Sequence, residues 1–304
     1  MLLFKWYQDI PFSQDEFKEF INKWEYCNLK AYCAVLPFLS GTVTGTNNFD
    51  TKLFTCYIDQ TPIGFFIDNA GILGLPFFPP LNKIISEPEY DAFNIVSSFP
   101  LIKTYRTLMG PLEYIIAFEK LFNQTNRTAI NYYFFFHPGF KQDTLWDSNP
   151  FDSKIKNQSS YTIRRLTVDD VKIVFPLQEA YEHEEVIINA SFYNAEFCLN
   201  NLINVLGSEY TLGLFKGKKL LAKAGTNAIG HSFCQVGGIY TLPQFRNLGL
   251  SQMLVNRLLS DLAVKNKRLC LFVKKENKSA IKVYENCGFQ NSGDFRISYH
   301  FGQL

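Results

Sequence analysis

The sequence predicts an α/β protein with a mixed sheet, divided into two domains, and three observations carry this. Segments that alternate as strands do and segments of helical period follow one another along the chain. A polar, turn-rich stretch from Lys141 to Ser160, with Pro150 and several Asn, Asp and Ser, interrupts them near the middle. The length of 304 residues suits two domains or one large one, and a hydrophobic content of 47% supplies ample core. We place an N-terminal α/β domain at 1–140, a linker at 141–158 and a C-terminal domain at 159–304.

In the first half, "SQDEFKEFINKWEYCNLKAYCAVLPFL" reads as helical with a break, and Ser13-x-x-Glu16 opens it as a capping box. "LFTCYID", "PIGFFID" and "GILGLPFF" read as consecutive strands, "EYIIAFEKLF" as a helix and "INYYFFFH" as a strong strand. After the interruption, "YTIRRL" alternates as a strand. "DVKIVFPLQEAYEHEEVI" and "AEFCLNNLINVLGS" are helical segments, and "YTLGLFKG" and "KLLAKAGTNAIG" are strands joined by a turn. "SFCQVGGIYTL" is a strand with Gly237 and Gly238 inside it, a pattern that marks a bulge or the close approach of another molecule. Leu250, Leu254, Leu258 and Leu262 then form the stripe of a helix packed on a sheet, widened by Met253, Val255 and Leu259. "LCLFVKK" is a short buried strand, "SAIKVYENC" a helix ended by Gly288, and "RISYHF" a closing strand.

Charge and composition exclude several classes. A net charge of +2, spread along the chain, leaves no electrostatic footprint for nucleic acid. Seven cysteines without a C-x-x-C pair, and four histidines far apart, argue against a zinc site and against a disulfide framework, so no metal is expected. The N-terminus lacks the apolar core of a signal peptide, and no apolar run approaches the roughly 18 residues of a membrane span. A cytoplasmic protein without a membrane partner is the expectation.

The stretch "TLPQFRNLGLSQMLVNRLL", Thr241 to Leu259, asks for more than a helix cap. Arg246-x-x-Gly249-x-Ser251 opens the helix start and leaves backbone N–H groups facing outward, an arrangement suited to a phosphate or pyrophosphate. In "NKSAIKVYENCGF", Asn277 caps a helix whose Ala280 and Tyr284 share a face. An Asn side chain pairs with a ligand amide, and a Tyr hydroxyl donates a proton.

Taken together, these two motifs and the strand, loop, helix, strand, helix order resemble the GNAT N-acetyltransferase superfamily, closely over Gly237–Phe289 and in outline over 160–304. The resemblance implies an acyl-CoA-binding fold that uses acetyl-CoA as co-substrate. It implies that amides of Arg246, Asn247, Leu248, Gly249, Leu250 and Ser251 cradle the pyrophosphate. The backbone of Ile239, Tyr240 and Thr241 would pair with pantetheine, which requires that strand to splay from "LCLFVKK". Asn277 would hold the pantetheine amides, Ala280 would also contact the cofactor, and Tyr284 would sit near the thioester sulfur. Ser251 stands where the family most often has Gly or Ala, and "CQVGGIY" lacks the glutamate that some members carry there as general base.

Two functional readings follow. One is an N-acetyltransferase that passes acetyl directly to a primary amine, and the other is a non-catalytic CoA-binding sensor or interaction module. For the first, Tyr284, with an ordinary pKa of about 10, protonates the departing thiolate. A base must still free the amine. "EAYEHEEV" supplies candidates in Glu179, Glu182, His183, Glu184 and Glu185, of which Glu184 and Glu185 are preferred over Glu209. Lys223 and Asn227 lie on one face of their strand and suit a polar acceptor. His137, in "HPG", reads as a turn residue. "YRTLMGPLEYI", Tyr105 to Ile115, loosely echoes the Gly249 loop, one residue too long, and makes the first half a candidate second, degenerate domain of the same kind.

Overall fold

The computed structural model describes residues 2–6, 13–40, 51–58, 61–79, 91–97, 105–122, 127–139, 160–188 and 190–300; the expected linker, 141–158, lies outside them. The first half runs β1 (Leu2–Trp6), α1 (Gln14–Lys23), α2 (Leu29–Leu39), β2 (Thr51–Ile58), β3 (Thr61–Asn69), β4 (Leu73–Phe77), α3 (Ala92–Ser97), β5 (Thr107–Pro111), α4 (Leu112–Phe122) and β6 (Arg127–Phe136). The second half repeats that order as β7 (Thr162–Arg165), α5 (Val171–Tyr181), α6 (Ala195–Ser208), β8 (Thr211–Lys216), β9 (Lys219–Ile229), β10 (Phe233–Thr241), α7 (Leu250–Ala263), β11 (Arg268–Lys274), α8 (Lys278–Asn286) and β12 (Gln290–His300).

These strands form one 12-stranded sheet in the order β1-β2-β3-β4-β5-β12-β6-β11-β10-β9-β8-β7. Counted inward from either edge, each strand meets its counterpart in the other half, so a pseudo-twofold axis passes between β12 and β6. Only β4–β5 and β10–β11 pair in parallel among the described residues, and they are counterparts too. The halves interleave at the centre. β12 lies between β5 and β6, and β6 lies between β12 and β11. The chain therefore contains its architecture twice.

The element that suggested a repeat is not the one that repeats. Thr107–Pro111 is a strand running directly into α4, the counterpart of β11 and α8, not a copy of the Gly249 loop. Gly110 serves strand contact there, since a Cβ on it would come within 2.6 Å of Pro76 Cγ. The true counterpart of the loop lies between β4 and α3, where residues 80–90 are outside the described set.

Four cores sandwich the sheet. α1 and α2 cover one face of the first half and α5 and α6 the same face of the second; α3, α4, α7 and α8 cover the other. The α7 stripe is buried as its period requires, with Leu254 and Leu258 at 0% exposure. Asn256, a polar residue of the same helix, is buried as well. The Ser13–Glu16 capping box forms, and side chains of Asn28, Asn194 and Asn277 cap α2, α6 and α8. His137 is buried in the turn after β6. Its Nδ1 accepts from the Gly139 amide at 3.2 Å, and the ring bonds the Cys287 carbonyl at the end of α8. All seven cysteines are free thiols. No described helix is long and apolar enough to cross a membrane.

Candidate functional site

β10 and β11 pair from Phe233↔Arg268 to Val236↔Leu271 and then part. Glycine causes the parting. Gly237 and Gly238 lie at an irregularity in the β9–β10 register, and Gly238 has φ +60°, a left-handed conformation that costs glycine little. Past this bulge β11 keeps its partner on the other edge, pairing with β6 out to Lys274↔Tyr132. The result is a wedge between two strands, bordered by Ile239, Tyr240 and Thr241. Thr241 Oγ1 is buried without a hydrogen-bond partner.

The wedge leads to the loop. After a turn at Pro243–Phe245 the chain passes through Arg246, Asn247 (φ +62°) and Leu248 to Gly249 (φ +76°), which starts α7. Left-handed residues in a turn are one of the ways main-chain N–H groups come to face an anion. No side chain caps α7, in contrast to α1, α2, α6 and α8. The amides of its first turn are left for another acceptor. Leu250 is buried and offers only its main chain, whereas Leu248 is exposed and Ser251 half-buried.

Across the wedge, Asn277 Oδ1 accepts from Ala280 N at 3.0 Å and from Ser279 Oγ at 3.0 Å, and its Nδ2 donates to Glu185 Oε1 at 3.3 Å. Ala280 and Tyr284 pack toward α7. Burial pushes the Tyr284 hydroxyl well above the usual phenol range, and Tyr181 and Glu185 nearby add to the effect. It therefore keeps its proton at any physiological pH.

α5 ends in a π-helical turn, Glu182–Val186, that carries the acidic candidates to this place. Glu184 Oε2 accepts from Arg246 Nη2 at 2.7 Å and from Tyr240 Oη at 3.0 Å. The Arg246 hydrogen bonds hold its carboxyl below the usual range. Glu185 meets Lys274 Nζ at 3.3 Å as well as Asn277. The remaining candidates stand further back. Glu179 accepts from Tyr193 Oη at 2.6 Å, Glu182 from Gln178 Nε2 at 2.7 Å, Glu209 from the Thr226 hydroxyl, and the His183 ring packs on Tyr193.

One neighbour had no local sequence signal. Tyr132, from β6 of the other half, lies within electrostatic reach of Tyr181, Tyr299 and Glu185. Only the strand order brings it there. Lys223, expected to share a strand face with Asn227, is 3% exposed. It approaches Gly238, and Asn227 approaches Gly237.

The first half has the same strand pair but not the same opening. β4 and β5 pair only at Leu73↔Thr107 and Gly74↔Leu108, and Pro76 has no N–H to continue a ladder. Buried Asn28 fills the place. Its Nδ2 donates to Pro76 O at 3.0 Å and to Met109 O at 3.1 Å, bridging the strands with a side chain.

Residues 211–297 match the family model described as FR47-like protein. No curated protein matches the sequence. Among solved structures, a Drosophila protein aligns with a TM-score of 0.63 at 14% identity, over 96% of this chain and 97% of its own. An acetyltransferase from the GNAT family of Colwellia psychrerythraea aligns at 0.51 and 12% identity, over 99% and 100%. A tandem GNAT protein from the clavulanic acid biosynthesis pathway aligns at 0.50 and 10% identity, over 100% of both chains. At such identities the likeness concerns the fold, and the fold is that of the GNAT acetyltransferases, present in tandem.

Proposed function

We propose, from this tandem GNAT fold, that the chain is an acetyl-CoA-dependent N-acetyltransferase with one active centre, in the second repeat, acting on a primary amine. We assign the repeats to 1–140 and 159–304, joined through 141–158. One observation carries the reading: an uncapped helix start with a left-handed glycine stands at the end of a strand pair that opens. The donors present fit a diphosphate, because free main-chain amides at a helix N-terminus and an arginine beside them suit negative charge. Arg246, Asn247, Leu248, Gly249, Leu250 and Ser251 would hold it. Arg246 would contribute its main chain, its guanidinium staying paired with Glu184. Ile239, Tyr240 and Thr241 would offer their main chain to the pantetheine arm, with Asn277 and Ala280 opposite.

Acetyl-CoA supplies an activated thioester. The protein's own tasks are to bring the amine to it without its extra proton and to protonate the leaving sulfur. Tyr284, protonated by burial, serves the second task. We expect Tyr284→Phe to bind acetyl-CoA as well as the wild type but to turn over roughly 100-fold more slowly, the usual scale of a lost general acid. Thiol release measured with a panel of amines checks this. Equal rates for both proteins would remove the phenol from the chemistry.

Asn28 makes a second expectation. Because its amide occupies the equivalent opening of the first repeat, calorimetry should give one acetyl-CoA per chain. A stoichiometry of two would contradict it.

The alternative of a non-catalytic CoA sensor is favoured by one observation, that Glu184 and Glu185 are both engaged by cations. Firm acetyl-CoA binding with no thiol release on any amine would establish it.

A further inference from the structure

The amine must lose a proton, and the two glutamates expected to take it are held by Arg246 and by Lys274. An ion-paired carboxylate is a weak base, and the hydrogen bond from Arg246 holds the Glu184 carboxyl below its usual range. Two ionisable side chains meet the main chain of Gly238, where β10 and β11 part: Tyr181 and Lys223. Lys223 Nζ donates to Gly238 O, the carbonyl of the bulge, at 2.7 Å. It lies 4.6 Å from the centre of the Tyr181 ring, and a Cβ built on Gly238 would be only 3.2 Å from it. The absent side chain at 238 thus makes room for the amine. No ion pair of Lys223 forms among the described residues, which is unusual for a lysine so deeply placed.

The groups that face it come from three elements. Tyr181 and Glu182 come from the end of α5 and the π-helical turn, and the Cys198 thiol comes from α6. β10 contributes the Gly238 carbonyl and, at the paired position, Tyr240, whose hydroxyl already donates to Glu184. Glu182 is itself occupied by Gln178. Desolvation outweighs this surrounding charge and brings Lys223 down to about 8. Enzymes tune lysines to this range for proton transfer near neutral pH.

Resting on the acetyltransferase reading, we propose that Lys223 is the general base that takes the proton from the acceptor amine. In its neutral form Nζ removes one proton from the acceptor ammonium, freeing the lone pair that makes the C–N bond. As the C–S bond breaks, Tyr284 gives its phenolic proton to sulfur and regains one from the new amide nitrogen. The Lys223 ammonium then returns its proton to water, so one proton is released per turnover.

Because the base must be neutral, kcat/KM should rise with pH and level off above about 8. The test compares Lys223→Met and Lys223→Arg with wild type, on the amine that best releases thiol. Both variants should lose roughly 100-fold in kcat/KM above pH 8, with acetyl-CoA affinity within about twofold and the limb near pH 8 gone. A Lys223→Arg protein that keeps more than half the activity would overturn the proposal, since a permanent cation anchors an anion but accepts no proton. Nitrogen NMR of the lysine side chains decides independently of turnover. Titration of Lys223 Nζ near pH 8 supports the proposal, and titration near the ordinary lysine value of about 10.4 overturns it. Wild-type protein inert toward every amine would instead defeat the acetyltransferase reading itself.

Discussion

Replacing Gly249 by Asp is expected to weaken acetyl-CoA binding at least ~100-fold while leaving the fold intact, because the new carboxylate competes for the amides of a helix N-terminus and repels the incoming phosphates. Gly249 has φ +76°, a conformation most side chains resist. Aspartate is among the few that tolerate it, so strain should cost only about 1 kcal/mol. Aspartate also supplies the cap that α7 lacks, which offsets part of that cost. Stability and affinity should therefore separate. Urea unfolding should move little, whereas calorimetry should show no measurable heat at concentrations that saturate the wild type. Undiminished affinity in the variant would show that the loop does not grip the diphosphate, and the functional assignment would fall with it.

The second large effect concerns the seam between the repeats. Glu119 of α4 is 3% exposed and binds two arginines, Arg296 of β12 at 3.0 Å and Arg127 of β6 at 3.2 Å. Arg296 also reaches Asn131 Oδ1 at 3.3 Å. The cluster ties the first repeat's helix to the last strand of the second, beside the strand that carries Tyr132. Glu119→Ala should lower the unfolding free energy by about 3–5 kcal/mol, because it leaves a mostly buried guanidinium without its counter-charge. The double variant Glu119→Leu with Arg296→Leu should recover most of that loss, since apolar residues of similar volume remove the charge together with its need for a partner. A single variant within 1 kcal/mol of wild type would mean that water already solvates Arg296.

Much of the second repeat was legible in the residues. Its strands and helices follow their periodicities, and the α6 segment 195–208 matches its expected bounds. The first repeat was read element by element with gaps. β1, α3 and β5 carry no clear local signal, and β5 is a five-residue strand holding both Gly and Pro, too short and irregular for a period to appear. The repeat itself was suspected from the wrong segment, because a glycine before a helix looks alike whether it frees amides for a ligand or lets a proline pack against a strand.

What the sequence by itself determined is what contiguous residues determine: the order of elements in the second repeat, the helix caps, the apolar stripe of α7 and the glycine that starts it. What only the tertiary structure decided is who stands beside whom. It put β6 next to β11, buried Lys223 against Gly238, paired Glu184 with Arg246, and stretched Asn28 across partners 48 and 81 residues away. Periodicity and capping are short-range properties written in neighbouring side chains. Strand order and the burial of Lys223 arise from contacts between distant segments, which no local spacing encodes.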